Sequence, residues 1–282
     1  MESTDLCAEL EAAFAPPLLA LLADRFGLAP DMLRTVIAQA APMLVAALMA
    51  AGATREGAAR LFAVIRSPQA NARVQRYLPQ LVATTAGLKA LENTGQFLLE
   101  RGTQVTLAAL SDRVASRTGV PRQATHALTG LSAAVLLGCV KHDVLVDQAT
   151  VASLPVRLTN QWPRVAPQLD DALARALGAE NARAFGNTVP AQLRILGGAL
   201  KREVHPQAAP AQVPTEPVAP VGRPRSARRQ LWWSVGLLAL LLAGALVYAQ
   251  WHHGPAGVAA LAQRAARMAA QWGGSGEIRL RP

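Results

Sequence analysis

Through the first 200 residues, apolar positions recur at helical spacing. Ala and Leu dominate, and the strict alternation of a half-buried strand is nearly absent. Break signals punctuate this pattern at Pro16-Pro17, Gly27 to Pro30, Gly52, Ser67-Pro68, Gly119 to Pro121, Leu154-Pro155, Gly178 and Gly197-Gly198. Asp31 behind Pro30 suits a helix start, because a carboxylate in the first turn offsets the exposed amide dipoles. Ser67-Pro68 and Val120-Pro121 read as helix starts too, with proline preset at an early helical position. The expected fold class is all-α: about eight to ten helices in an irregular bundle over residues 1–200.

Two stretches carry no charge. Thr35 to Thr54 contains Gln39 and Pro42, much of it is Ala, and its strongly apolar part is only about a dozen residues long, which predicts a buried core helix. The second stretch has no Lys, Arg, Asp or Glu from Gln230 to Gln263. Within it Leu231–Trp251 is long enough to cross roughly 30 Å of hydrocarbon at about 1.5 Å per residue. Its leucines and valines, with Leu240 near the centre, favour insertion by roughly 3–5 kcal/mol. Trp232 and Trp233 stand at one end, Tyr248 and Trp251 at the other, as an aromatic belt requires, and Gly244 lies between them. Residues 231–251 are therefore expected to form a transmembrane helix. Its Ala239/Ala243 and Ala245/Ala249 pairs are spaced for close helix approach, so a homodimer through the span is open.

The segment before the span, residues 201–230, reads as a Pro-rich basic linker. Six prolines alternate with Ala, Val and Gln between Pro206 and Pro224, with no aromatic residue to seed a core. An extended segment of this kind reaches up to roughly 60 Å. Arg223, Arg225, Arg228 and Arg229 follow it, and after the span no full charge occurs until Arg264. The positive-inside rule makes these arginines topology determinants, with the N-terminal side cytoplasmic and the C-terminal side periplasmic in a bacterial inner membrane. Met1 to Cys7 is acidic and lacks a basic n-region, so no secretory signal is expected, and Cys7 and Cys139 are expected to be free thiols in a reducing compartment. Residues 252–282 form a short extracytoplasmic tail, with an amphipathic pattern from Val258 to Trp272.

The net charge of +10 first suggests an anionic macromolecule as partner. Its distribution changes that picture. Residues 1–200 hold 18 basic and 15 acidic groups, a net of only +3, and the remainder lies in the linker and tail. A nucleic-acid-binding domain places its basic stripe on the folded part, so no nucleic acid is expected.

Few residues suggest chemistry. The glycines are dispersed as turns, without a phosphate-binding loop. Cys139 with Lys141-His142-Asp143 is the one tempting cluster, but it falls short of a four-ligand zinc set and reads as a solvated helix end. Cys139 itself reads as a small buried apolar residue. His252-His253 and His126 lack partners in the sequence, and Asp170-Asp171 with Arg175 reads as a solvated helical ion pair. No catalytic, cofactor-binding or metal-binding residues are assigned, and no cofactor is expected.

A loose repeat appears at an offset of 92. Gly27-Leu28-Ala29-Pro30 leading to Val36, Ala40-Ala41 and Met43-Leu44 parallels Gly119-Val120-Pro121-Arg122 leading to Leu128, Ser132-Ala133 and Val135-Leu136. Asp24-Arg25 and Asp112-Arg113 precede the two copies, which would make two pseudo-repeated halves. The run Leu21 to Leu28, continued by Val36 to Leu44, resembles the first half of the YidB-like bacterial family, long known as domain of unknown function nine-three-seven. Gly52 to Ala58 resembles its next turn; Gly95-Gln96-Phe97-Leu98-Leu99 and Leu136-Leu137-Gly138 resemble its second half. The resemblance covers about residues 15–150. It implies a helical domain and no transferable catalytic residues, and some relatives are fused through a membrane span to an envelope domain.

The functional expectation is a single-pass, membrane-anchored helical interaction or scaffold protein of the bacterial cell envelope, with the lipid bilayer and a further protein as partners. An enzyme acting on an envelope intermediate and a weak nucleic-acid binder stay open as alternatives.

Overall fold

Gly27 and Gly119 end two helices in the same way. Each adopts a left-handed conformation, φ +64° and +68°, which an L side chain resists and glycine does not. Each donates its N–H to a carbonyl four residues back, Ala23 and Ala115, at 2.9 Å. An extended residue then turns the chain into a long buried helix, Ala29 before Pro30–Gly52 and Pro121 before Arg122–Val146. These caps fall at the offset of the sequence repeat.

The computed structural model describes residues 4–204, and they are helical throughout, with no strand among them. In chain order the first helices are α1 (Leu6–Ala13), α2 (Pro16–Phe26), α3 (Pro30–Gly52), α4 (Arg55–Arg66) and α5 (Val74–Val82). Then come α6 (Thr85–Thr103), α7 (Leu107–Thr118) and α8 (Arg122–Val146). Short helices α9 (Leu154–Thr159), α10 (Trp162–Val165) and α11 (Asp171–Ala176) lead to α12 (Ala182–Val204), with 3₁₀ turns at Val151–Ser153 and Ala166–Gln168. Threonine hydroxyls start three of the helices: Thr54, Thr84 and Thr106 accept from the N–H groups of Gly57, Gly87 and Ala109.

One continuous apolar core fills the bundle. At its centre lies α3, touched by α1, α2, α4, α7 and α8. From Ala40 to Met49 every side chain is buried. Thr35 to Thr54 is thus a core helix, as its composition suggests. By length and hydropathy α3 and α8 could each cross a membrane, but 78% and 72% of their apolar windows are buried within the bundle.

The crossing of α6 and α8 is the tightest. A Cβ at Gly95 would lie 1.9 Å from the carbonyl oxygen of Gly130, and one at Gly130 would lie 3.0 Å from Glu92. Only glycine lets the two backbones touch. At Gly138 a Cβ would come within 2.5 Å of Asn71 O. Of the buried hydroxyls of α8, Thr129 donates to Thr125 O at 2.7 Å and Thr125 donates to Val120 O and Pro121 O at 3.3 and 3.2 Å, whereas Ser132 Oγ has no hydrogen-bond partner among the described residues.

Three sequence expectations change. The helices number twelve among the described residues rather than eight to ten, because residues 151–176 break into short pieces. Ser67-Pro68 ends α4 instead of starting a helix, and α5 begins only at Val74. Gly197-Gly198 does not break the chain but lies inside α12, where Gly197 packs so closely on Val156 that a Cβ would meet its Cγ2 at 2.7 Å. Tertiary packing there overrides the low helix propensity of glycine.

Candidate functional site

A set of titratable groups forms where α1 meets the C-terminal end of α8. Asp5 caps α1, accepting from the N–H groups of Cys7 and Ala8 at 3.0 and 3.1 Å. Gln161, almost fully buried, fastens the same segment by accepting from Leu6 N at 2.9 Å and donating to Thr4 O at 2.8 Å. Arg164 adds an ion pair to Asp5 at 2.8 Å. Glu9 is thereby held against α8.

One Glu9 oxygen, Oε2, is buried with no hydrogen-bond partner among the described residues. Burial, and then the neighbouring Asp143, push the Glu9 carboxyl above its ordinary value, while His142 draws it back in part. Asp143 is also raised, by burial first; Arg157 and His142 oppose the shift. Arg157 reaches Asp143 at 3.5 Å and pairs closely with Asp147. Cys139, 2% exposed, accepts a hydrogen bond from Gln75 Nε2 at 2.9 Å. Burial, with Glu9 adding to it, pushes its thiol up to about 12. Cys7 is likewise buried, with its thiol pushed to about 12 by burial and Asp5. Neither cysteine is in a disulfide. At neutral pH both are inert thiols, because the reactive form is the thiolate.

Beside this cluster lies a cavity of about 480 Å³. Asp143, Asp147, Arg157, Gln161 and Lys201 supply polar groups, and Leu6, Val140, Leu154, Val156 and Leu158 supply an aliphatic wall. The arrangement can hold a proton on Glu9 or Asp143 and can admit a small, largely apolar group. Among the described residues no cluster of three or more His, Cys, Asp or Glu is placed to hold a metal.

The solvated-helix-end reading of Lys141-His142-Asp143 needs correction. His142 is exposed, but Lys141 donates to Ser67 O and Ala70 O at 2.7 and 2.8 Å, and Asp143 turns inward to Arg157. His126 meets the Ser111 hydroxyl at 3.2 Å across α7 and α8. Ser111 is 2% exposed, so this bond fastens two helices and presents no nucleophile to a substrate. Asp170 also departs from expectation. It caps α11 through Leu173 N at 2.8 Å and pairs with Arg113 and Arg117 of α7 rather than with Arg175. Burial alone would raise its carboxyl, but hydrogen bonds from Arg113, Leu173 N and Arg117 outweigh burial and hold it well below the usual carboxylate range.

Leu231, Trp232, Trp233, Leu240, Gly244, Tyr248 and Trp251, the arginines 223, 225, 228 and 229, the linker and the tail lie outside the described residues. Glu9, Arg157 and Gln161 are contributors to the cluster that sequence reading did not single out.

Residues 8–143 match the model of a family described as bacterial protein of unknown function (DUF937), and this part of the chain belongs to that family. The match begins in α1, one residue before Glu9, and closes on Asp143, so both raised carboxyls lie inside it and Arg157 lies beyond. No curated protein and no solved structure matches the chain.

Proposed function

We propose that the chain is a membrane-tethered helical interaction module: a family domain held at the cytoplasmic face of a bacterial inner membrane by residues 201–230 and a single span at 231–251. The observation that carries this reading is the uncharged run Leu231–Trp251, with aromatic residues at both ends and four arginines on one flank. The bundle supports it from the other side, because its own two long apolar helices are enclosed by other helices. We read the bundle as two pseudo-repeated halves, α1–α3 and α6–α8, on the strength of the matched glycine caps. The inert thiols and the buried Ser111 suit binding better than nucleophilic chemistry.

Membrane extraction tests the tether. Alkaline washing should leave the full chain in the membrane pellet and release a variant lacking residues 231–251. Release of the intact chain would overturn the reading. A second reading, an enzyme acting on an envelope intermediate, draws on the Glu9–Asp143 cluster beside its cavity. It requires a turnover that Glu9→Gln abolishes without lowering thermal stability.

A further inference from the structure

A second concavity, of about 280 Å³, lies between α4 and α6. Arg60, Ala63, Val64 and Ser67 form one wall; Phe97, Leu98 and Arg101 form the other. No acidic residue lines it. Neither Arg60 nor Arg101 has a carboxylate within ion-pair distance among the described residues; Arg60 makes only a long contact, 3.4 Å, to Gly102 O. Glu100, next to Arg101 in sequence, accepts instead from Gln96 and from Leu107 N. Arg101 stacks 5.7 Å above the ring of Phe97, an aromatic side chain that is 46% exposed. On the same helix as Arg60, Arg66 stacks 5.9 Å above Phe62. Ser67 lines the same concavity, and its hydroxyl is buried with no hydrogen-bond partner among the described residues.

We propose that this groove binds the phosphate headgroup of an anionic phospholipid. Two guanidinium groups supply planar donors that match phosphate oxygens, and Phe97 enters the interfacial region beside them. A phosphodiester in solution or in nucleic acid shares the chemistry. The membrane is the source favoured by the exposed aromatic ring, by a cavity sized for one headgroup, and by the net charge of only +3 over residues 1–200, which gives no extended stripe for a duplex. The tether of the proposed function brings the groove to the bilayer, but the recognition chemistry does not depend on it.

The test is amide hydrogen exchange on the full chain, reconstituted into nanodiscs of phosphatidylcholine alone or mixed with phosphatidylglycerol. Exchange in residues 60–69 and 97–101 should slow by about tenfold in the anionic discs only. The Arg60→Glu/Arg101→Glu and Phe97→Ser variants, whose side chains lie on the surface, should lose that protection while circular dichroism stays unchanged. Equal exchange in both discs overturns the proposal. So does equal protection from inorganic phosphate or from a short oligonucleotide added without lipid. If the chain enters neither disc, the tether fails and the groove is still tested: sedimentation should then show binding to anionic vesicles and not to neutral ones.

Discussion

The helix α3 and the run Leu231–Trp251 are close in length, and both are uncharged through their centres. Their sequences differ at the edges. No aromatic residue stands anywhere in α3, and other helices of the bundle enclose it. The other run has aromatic side chains at both ends and an arginine cluster before it. Hydropathy alone would treat the two alike. In general a core helix is covered by amphipathic protein helices and a span by lipid with interfacial anchors, and on its flanks we propose the second run as a span.

The largest expected effect comes from placing one arginine in each. Leu44→Arg puts a charge where nothing is exposed and should destroy cooperative thermal unfolding, a loss of more than about 4 kcal/mol. Leu240→Arg should leave the melting of the bundle unchanged and instead weaken membrane insertion by about 3 kcal/mol, read by fractionation. Equal melting of the two variants would erase the distinction. Next in size is Gly95→Ala, which should destabilise by about 3 kcal/mol because the added carbon meets the α8 backbone. Gly27→Ala, with open space around it, should cost only about 1 kcal/mol of backbone strain. Denaturant titration separates them.

Smaller effects concern the polar edges of the bundle. Asp170→Asn should cost about 1 kcal/mol at neutral pH. The native carboxyl is depressed, so its contribution is present above the unfolded carboxylate value and is lost as pH falls through the folded one; wild type and variant should converge in acid. Glu9→Gln should do the reverse. The Glu9 carboxyl is raised, so its ionisation burdens the fold as pH climbs through the raised value. The variant should therefore melt higher at neutral pH, by less than about 1 kcal/mol, and equal wild type in acid. A Glu9→Gln variant that melts lower at neutral pH would contradict the environment described here.

Local chemistry made much of this fold legible in the sequence. The left-handed turns at Gly27 and Gly119 and the core placement of α3 follow from short-range patterns. Gly95 and Gly130 left a weaker signal: glycine inside a helix costs about 1 kcal/mol relative to alanine, so its presence there implies a close approach, but not to which partner. The polar cluster was not legible, because Glu9 stands at the start of the bundle, far in sequence from Asp143 and Arg157, and only the docking of α1 on α8 brings it to them. The matched pairs Asp24-Arg25 and Asp112-Arg113 show the same limit. Arg25 donates to the Ala83 carbonyl, whereas Arg113 pairs with Asp170. A shared sequence pattern foretold the scaffold and not the partners.

We propose that the apolar helices of the bundle stay out of the bilayer while residues 231–251 cross it. A reporter active only in the periplasm tests this directly when fused after Thr84, Leu200 or Pro282. Thr84 lies between α3 and α8, so a crossing by α3 would expose that fusion. The account predicts silence at Thr84 and Leu200 and activity at Pro282. Activity at Thr84, or silence at Pro282, would contradict it.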